Sequence, residues 1–288
     1  MVREFSIRDV KIGGKNPLVL IAGPDVLEDI ETSILIARTL KKLTSDAGIG
    51  FIFKASYDKG NRGESASYRG PMMEKGLETL DSIRTQVDVP ITTDAHNEEE
   101  VRRVAQVVDL VQIPAYLSMQ TSLSIVAGET GKPLNVKKGQ FLSPKQLAGI
   151  GRKIEATGNT SLMFTERGTF LGYGDLAADF RSLPRIREMG YPVVLDPTHI
   201  IRYPGTSSSD PAGGEPEYAP HLSRAGAAAG IDALFIETHP EPRTAACDGC
   251  SMMRLSYMTD LINQVAAIDK MVKGWDLLPR ARDEHGFV

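Results

Sequence analysis

Eight short apolar segments rich in β-branched residues recur along the chain: "LVLIAG" from 18, "FIFKAS" from 51, "ITTDAH" from 91, "LVQIPA" from 110, "LNVKKG" from 134, "SLMFTERG" from 161, "VVLDPTH" from 193 and "ALFIETH" from 233. Each reads as a strand buried on both faces. Stretches with helical periodicity lie between them, at residues 30–43, 98–108, 143–158 and 221–231. Strict strand–helix alternation requires parallel strands joined by right-handed crossovers, and eight such units are the number that closes a single α/β (β/α)8 barrel. A doubly wound open sheet is the competing architecture. Residues 1–17 form an extension before the first barrel strand, and the loop at 200–220 is rich in Gly, Ser and Pro, the composition of a mobile lid.

Every segment begins apolar and ends in residues able to do chemistry: Asp25, Lys54, Asp94 with His96, Gln112, Lys137 with Lys138, Glu166 with Arg167, Asp196 with His199, and Glu237 with His239. In a barrel those C-terminal ends converge on one pocket. The cations Lys54, Lys59, Arg62, Lys137, Lys138 and Arg167 suggest bound anions, and the loop "YDKGNRGESASYRGP" (57–71) has the donors to wrap a phosphate; the bland alternative for each is a surface ion pair. His199, Glu237, Asp248 and Asp25 offer a mixed nitrogen and oxygen set suited to Mn, Mg, Fe or Zn, or else a histidine satisfied by a carboxylate.

Composition narrows the function classes. A net charge of −4 and 24% charged residues argue against a general nucleic-acid or membrane surface while leaving room for a local basic pocket. No apolar run approaches a membrane span and the first residues lack a signal-peptide core, so a cytoplasmic protein is expected. Cys247 and Cys250 are the only cysteines; with no second CxxC to complete a zinc ribbon, "CDGC" reads as a tight turn presenting Asp248.

The motifs "IAGP", "FKASYDKGNR", "SYRGP", "ITTDAH", "QIPAYL", "NVKKGQFLSP", "TERGTFLGYG", "DPTH" and "ETHPEP…A…CDG", in that order, resemble the 3-deoxy-D-manno-octulosonate 8-phosphate synthases, with the 3-deoxy-D-arabino-heptulosonate 7-phosphate synthases as the nearest sister group. The resemblance implies a homotetrameric barrel enzyme, without an organic cofactor, that condenses phosphoenolpyruvate with an aldose phosphate. It implies that Lys137 and Arg167, beside the Ala115 backbone, hold the enol phosphate, with Lys54, Lys59 and Gln112 near its carboxylate. Asn61 and Arg62 match the binders of the acceptor phosphate, and Asp94 and His96 the groups near its hydroxyls. His199, Glu237 and Asp248 match the ligands of the metal-dependent members. The set Asp25, His199, Asp248 and Lys54 is the expected catalytic group.

Five positions depart from the pattern. Asp25 stands where metal-dependent members have Cys and metal-free members Asn; Gly63 and Glu64 replace a hydroxyl and a serine on the phosphate loop; and Met119 replaces an arginine that reaches a neighbouring subunit's acceptor phosphate. The usual Asp is also Ser122. Loss of a guanidinium and a hydroxyl together with a new anion weakens a terminal-phosphate site, which predicts an acceptor other than arabinose 5-phosphate unless a cation such as Arg69 compensates. A non-catalytic sugar- or phosphoenolpyruvate-binding regulator and a metal hydrolase are the competing functions. Four carboxylates, Asp25, Asp94, Glu237 and Asp248, in one desolvated pocket would need a proton or a cation among them, and a cation is the favoured expectation.

Overall fold

The structure, a computed structural model, describes residues 2–207 and 210–275. Ser208 and Ser209, inside the expected lid, and the chain after 275 lie outside the described residues. All eight expected segments are strands: β3 (Val19–Gly23), β4 (Gly50–Lys54), β5 (Ile91–Asp94), β6 (Leu110–Ile113), β7 (Leu134–Lys137), β8 (Leu162–Glu166), β9 (Val193–Leu195) and β10 (Ala233–His239). They pair in parallel in chain order, and β10 pairs with both β3 and β9. That last pairing closes the sheet into a barrel and excludes the open doubly wound arrangement.

The outer layer is α1 (Ile30–Ala47), α2 (Met73–Val87), α3 (Glu98–Val107), α4 (Thr121–Glu129), α5 (Pro144–Glu155), α6 (Ser182–Glu188), the short α7 (Pro197–Ile200), α8 (Ala219–Ala228) and α9 (Met258–Lys273). Local chemistry sets their ends. Asp29 caps α1 by accepting from Thr32 N at 2.7 Å, and Gly48 ends it with a left-handed φ of 69°. Asn97 caps α3, whose first turn carries Glu98, Glu99 and Glu100 against the positive end of the helix dipole. No helix among the described residues is long and apolar enough to cross a membrane.

Strand alternation divides the core in two. Outward-facing Leu20, Phe53, Val111, Val136, Phe164 and Leu234 pack under the helices, whereas inward-facing Val19, Ile21, Ile52, Leu110, Met163, Val194 and Phe235 fill the barrel. The N-terminal extension is itself structured. Its antiparallel strands β1 (Phe5–Ile7) and β2 (Val10–Ile12) place buried Ile7, Val10 and Ile12 against the inward set, stopping the barrel's N-terminal end. Polar chemistry is thereby confined to the opposite mouth.

Candidate active site

Two neighbouring cavities occupy that mouth. One, of about 380 Å³, is lined by Lys54, Lys59, Asn61, Asp94, His96, Gln112, Ala115, Lys137, Arg167, His199 and Glu237, among others. The other, of about 560 Å³, shares Lys59, Asn61, Tyr116, Arg167 and His199 with the first and adds Arg62, Gly63, Glu64, Arg202, Cys247 and Asp248. His199 and Arg167 therefore stand where the two meet. Asp25 is fully buried and lines neither; it reaches the cavities through Lys54 and Lys59.

Backbone geometry explains why Asp25 sits so deep. A Cβ on Gly23 would lie 2.0 Å from the Lys54 carbonyl oxygen, so glycine permits β3 to press against β4 at its end. The two chains stay paired beyond the strands: Ser56 N donates to Asp25 O at 3.1 Å, and Leu27 N to Ser56 O at 2.9 Å. Asp248 comes from the excursion after β10. The turn that carries it uses a left-handed φ of 52°, and the two-residue strand β11 (Met253–Arg254) returns the chain beside β10.

Asp25, His199, Glu237 and Asp248 each present one ligand atom, and these atoms lie within 4.8 Å of one another. Their electrostatics differ. Burial alone would raise the pKa of Asp25, but the ammoniums of Lys59 and Lys54 hold it well below the usual carboxylate range. Burial, reinforced by the charge of Asp25, pushes Glu237 up to about 8, and burial with the same neighbour raises Asp248. Lys54 Nζ lies 3.1 Å from Glu237 Oε1 and 3.6 Å from Asp25 Oδ1, while Arg202 donates to Asp248 Oδ1 at 2.6 Å.

His199 is oriented by Asp196, whose Oδ1 lies 3.0 Å and Oδ2 2.8 Å from Nδ1. Burial lowers the His199 pKa to about 3, with Arg167 and Lys137 adding to the effect against the pull of Asp196. The ring is neutral at pH 7, so the bond to Asp196 keeps the proton on Nδ1 and leaves Nε2, 3.7 Å from Glu237 Oε1, as the open lone pair. A divalent ion fits this donor set: a neutral imidazole nitrogen with three carboxylates, of which Asp25 Oδ2 and Glu237 Oε2 are buried and accept no hydrogen bond within the described residues.

Lys137 is buried, pairs with Asp196 Oδ2 at 2.7 Å and stands 3.2 Å from the centroid of the Phe235 ring. Desolvation lowers its pKa to about 8, Asp196 opposing and Arg167 assisting. Below it a polar layer crosses the barrel. Ser56 Oγ and Gln112 Nε2 donate to Asp94 at 2.6 and 2.7 Å, Asn135 Nδ2 donates to Gln112 Oε1 at 3.0 Å, and Thr165 Oγ1 donates to Asn135 Oδ1 at 2.6 Å. At the rim, His96 Nδ1 lies 2.8 Å from Glu100 Oε2, which also accepts from Tyr57.

Several expectations need correction. Lys138 and Glu166 do not join the ring of chemical groups: strand parity turns them outward, where they pair at 3.2 Å and Lys138 also donates to Gly168 O at 2.9 Å. His239 is likewise outside both cavities, with Nδ1 accepting from Glu241 N. Asp94 is not one of the clustered acids; it belongs to the polar layer, and Lys54 and Lys59 outweigh burial to hold its pKa low. Arg69 is no spare cation, because both oxygens of Asp58 accept from it at 2.8 and 2.6 Å. Arg62 donates to Cys247 Sγ at 2.6 Å. Sequence reasoning overlooked Phe235, Asn135, Thr165 and Arg202; for the first three the signal was present, since each falls on the inward parity of its strand.

Comparison with known proteins agrees with this arrangement. The profile of the DAHP synthetase I family matches residues 2–273. Proteins named 2-dehydro-3-deoxyphosphooctonate aldolase are similar throughout: that of Syntrophotalea carbinolica is 44% identical over 95% of this chain and 99% of its own length, and that of Citrifermentans bemidjiense is 44% identical over 94% and 99%. The Geobacter sulfurreducens protein of the same name is 42% identical over 95% of this chain and 100% of its own. With its closed barrel, its clustered mouth residues and a match along nearly its whole length, the chain belongs to the DAHP synthetase I family.

Proposed function

We infer that the protein condenses phosphoenolpyruvate with an aldose or aldose phosphate to form a 3-deoxy-2-ulosonate or its phosphate, releasing inorganic phosphate. The observation that carries this reading is the pair of joined cavities, the smaller bearing four cations, Lys54, Lys59, Lys137 and Arg167, around a volume of about 380 Å³. A small dianion or trianion is the ligand such a wall selects. C3 of the enol attacks the aldehyde carbon, the aldehyde oxygen takes a proton, water adds to the cationic C2, and phosphate leaves with the C2–O bond.

Lys137 and Arg167 hold the enol phosphate, and Lys54 and Lys59 its carboxylate. The acceptor spans the two cavities, with its aldehyde at the His199 junction, its hydroxyls near Asp94 and His96 in the first, and its far end towards Asn61 and Arg62 in the second. Glu237 carries a proton at neutral pH in the metal-free enzyme and His199 Nε2 is open to accept one, so the junction holds both an acid and a base. Asp25, His199, Glu237 and Asp248 would hold a divalent ion; their mainly oxygen donor set favours Mn or Mg over Zn or Fe. When bound, that ion supplies Lewis acidity towards an oxygen at the junction. A non-catalytic binding role is disfavoured by this complete set of donors, acids and bases.

The acceptor is a different aldose from arabinose 5-phosphate. Glu64 lines the acceptor cavity, Gly63 leaves open space where the usual hydroxyl would be, and Arg69 is engaged by Asp58. In a phosphate-release screen of phosphoenolpyruvate against phosphorylated and free aldoses, another acceptor is expected to exceed arabinose 5-phosphate by about tenfold in kcat/KM, the value of one weakened charge-assisted contact. Equal or faster turnover of arabinose 5-phosphate would remove the altered-acceptor reading, and full activity after chelation would remove the metal. The protein acts in the cytoplasm as a homotetramer. Exposed Tyr116, Met119, Phe170, Leu171 and Tyr173 around the mouth support self-association, which light scattering of the pure protein checks; a monomer at micromolar concentration would contradict it.

A further inference from the structure

Three of the four clustered side chains that can hold a metal already have a cationic side chain against them. Lys59 contacts Asp25, Lys54 lies 3.1 Å from Glu237 Oε1, and Arg202 donates to Asp248 Oδ1 at 2.6 Å. A divalent ion placed among these carboxylates would meet the three cations at close range, so metal and counter-ions compete for the same acids. Lys54 is fixed, because its ammonium also donates to the Asp25 carbonyl at 2.9 Å. The other two have somewhere else to go. Lys59 lines both cavities and Arg202 lines the second; among the described residues the guanidinium also approaches Thr206 O at 3.5 Å, and its buried Nε has no hydrogen-bond partner.

We propose that Lys59 and Arg202 are exchangeable counter-ions that couple substrate binding to metal binding: they neutralise Asp25 and Asp248 in the empty enzyme and transfer to substrate anions, which frees both carboxylates for the divalent ion. The proposal rests on the functional reading above for the identity of those anions. Its consequence is reciprocal linkage, in which the anionic donor tightens metal binding and the metal tightens donor binding by the same factor. Asp25 makes the device effective. A carboxylate can pair with an ammonium or ligate a hard cation, so its allegiance can be switched by moving one charge.

The test is calorimetric titration of the full chain with Mn²⁺, with and without saturating phosphoenolpyruvate and corrected for the ion that phosphoenolpyruvate captures in solution. Wild-type protein should bind Mn²⁺ about tenfold more tightly with phosphoenolpyruvate present. Lys59→Gln and Arg202→Gln, each verified as folded by circular dichroism, should bind Mn²⁺ about tenfold more tightly than wild type with no other ligand, and Lys59→Gln should lose most of the enhancement by phosphoenolpyruvate. The proposal is overturned if phosphoenolpyruvate binds and leaves the Mn²⁺ affinity unchanged, or if both variants bind Mn²⁺ no better than wild type. Absence of any heat from phosphoenolpyruvate would count against the functional reading instead; the ligand-free comparison of variants still decides the counter-ion proposal.

Discussion

Lys137→Met should lower kcat/KM for phosphoenolpyruvate by about 10²–10³-fold, the effect of removing roughly 3–4 kcal/mol of charge-assisted binding from a desolvated site. The residue is 5% exposed, so water cannot replace the lost ammonium. A second signature separates this loss from simple misfolding. Lys137 helps to hold His199 neutral, and without it Asp196 faces the imidazole with less opposition, so the His199 pKa should rise from about 3 and move the acid limb of the rate profile to higher pH. In the wild-type enzyme, Lys137 loses its proton as pH rises through about 8, so donor capture should decline over that range. A bound phosphate dianion stabilises the ammonium, which places the corresponding limb of kcat at higher pH than that of kcat/KM. An unchanged KM and pH profile in the variant would show that Lys137 is not in contact with the donor.

The barrel was legible because its strands are buried on both faces and so read as unbroken apolar runs, a pattern that needs no tertiary information. The gathering of polar strand ends was legible for the same reason, since parallel strands put all their C-terminal ends together. Strand parity decides which of those ends face the pocket. Lys138 follows Lys137 and Glu166 precedes Arg167, so one member of each pair had to point away from the barrel axis. Counting back in twos from Lys137 and from Arg167 identifies Asn135 and Thr165 as interior groups. Other features lie beyond any local pattern. The hold of Lys59 on Asp25 and of Arg202 on Asp248 joins residues 34 and 46 positions apart through the closed barrel mouth, and the hairpin's role as a stopper depends on the barrel already being closed. Clustered carboxylates need a proton or a cation among them, and the fold supplies lysine and arginine side chains for that role.

Glu237→Gln should separate stability from function at the acid cluster. In the metal-free protein the Glu237 pKa is raised from an ordinary 4.5 to about 8, so the folded state binds the extra proton across that interval. A raised folded-state pKa contributes stability that is fully present below the unfolded value and is lost as pH rises through the folded one. Metal-free wild type should therefore lose stability between about pH 4.5 and pH 8 from this group, whereas the neutral amide has no proton to lose. Glu237→Gln is expected to be more stable than wild type by about 1–3 kcal/mol at pH 8, the difference shrinking towards pH 4.5, in urea denaturation with a chelator present. Activity should move the other way, down by about 10²–10⁴-fold, because the change removes an anionic metal ligand at the junction. If the variant were less stable than wild type at pH 8, the ion pair of Glu237 with Lys54 at 3.1 Å would outweigh its desolvation and its repulsion by Asp25. The expected gain follows from the opposite balance: a buried carboxyl beside a second carboxylate held ionised by two lysines is a cost to the fold, and a catalytic mouth is where such a cost is retained.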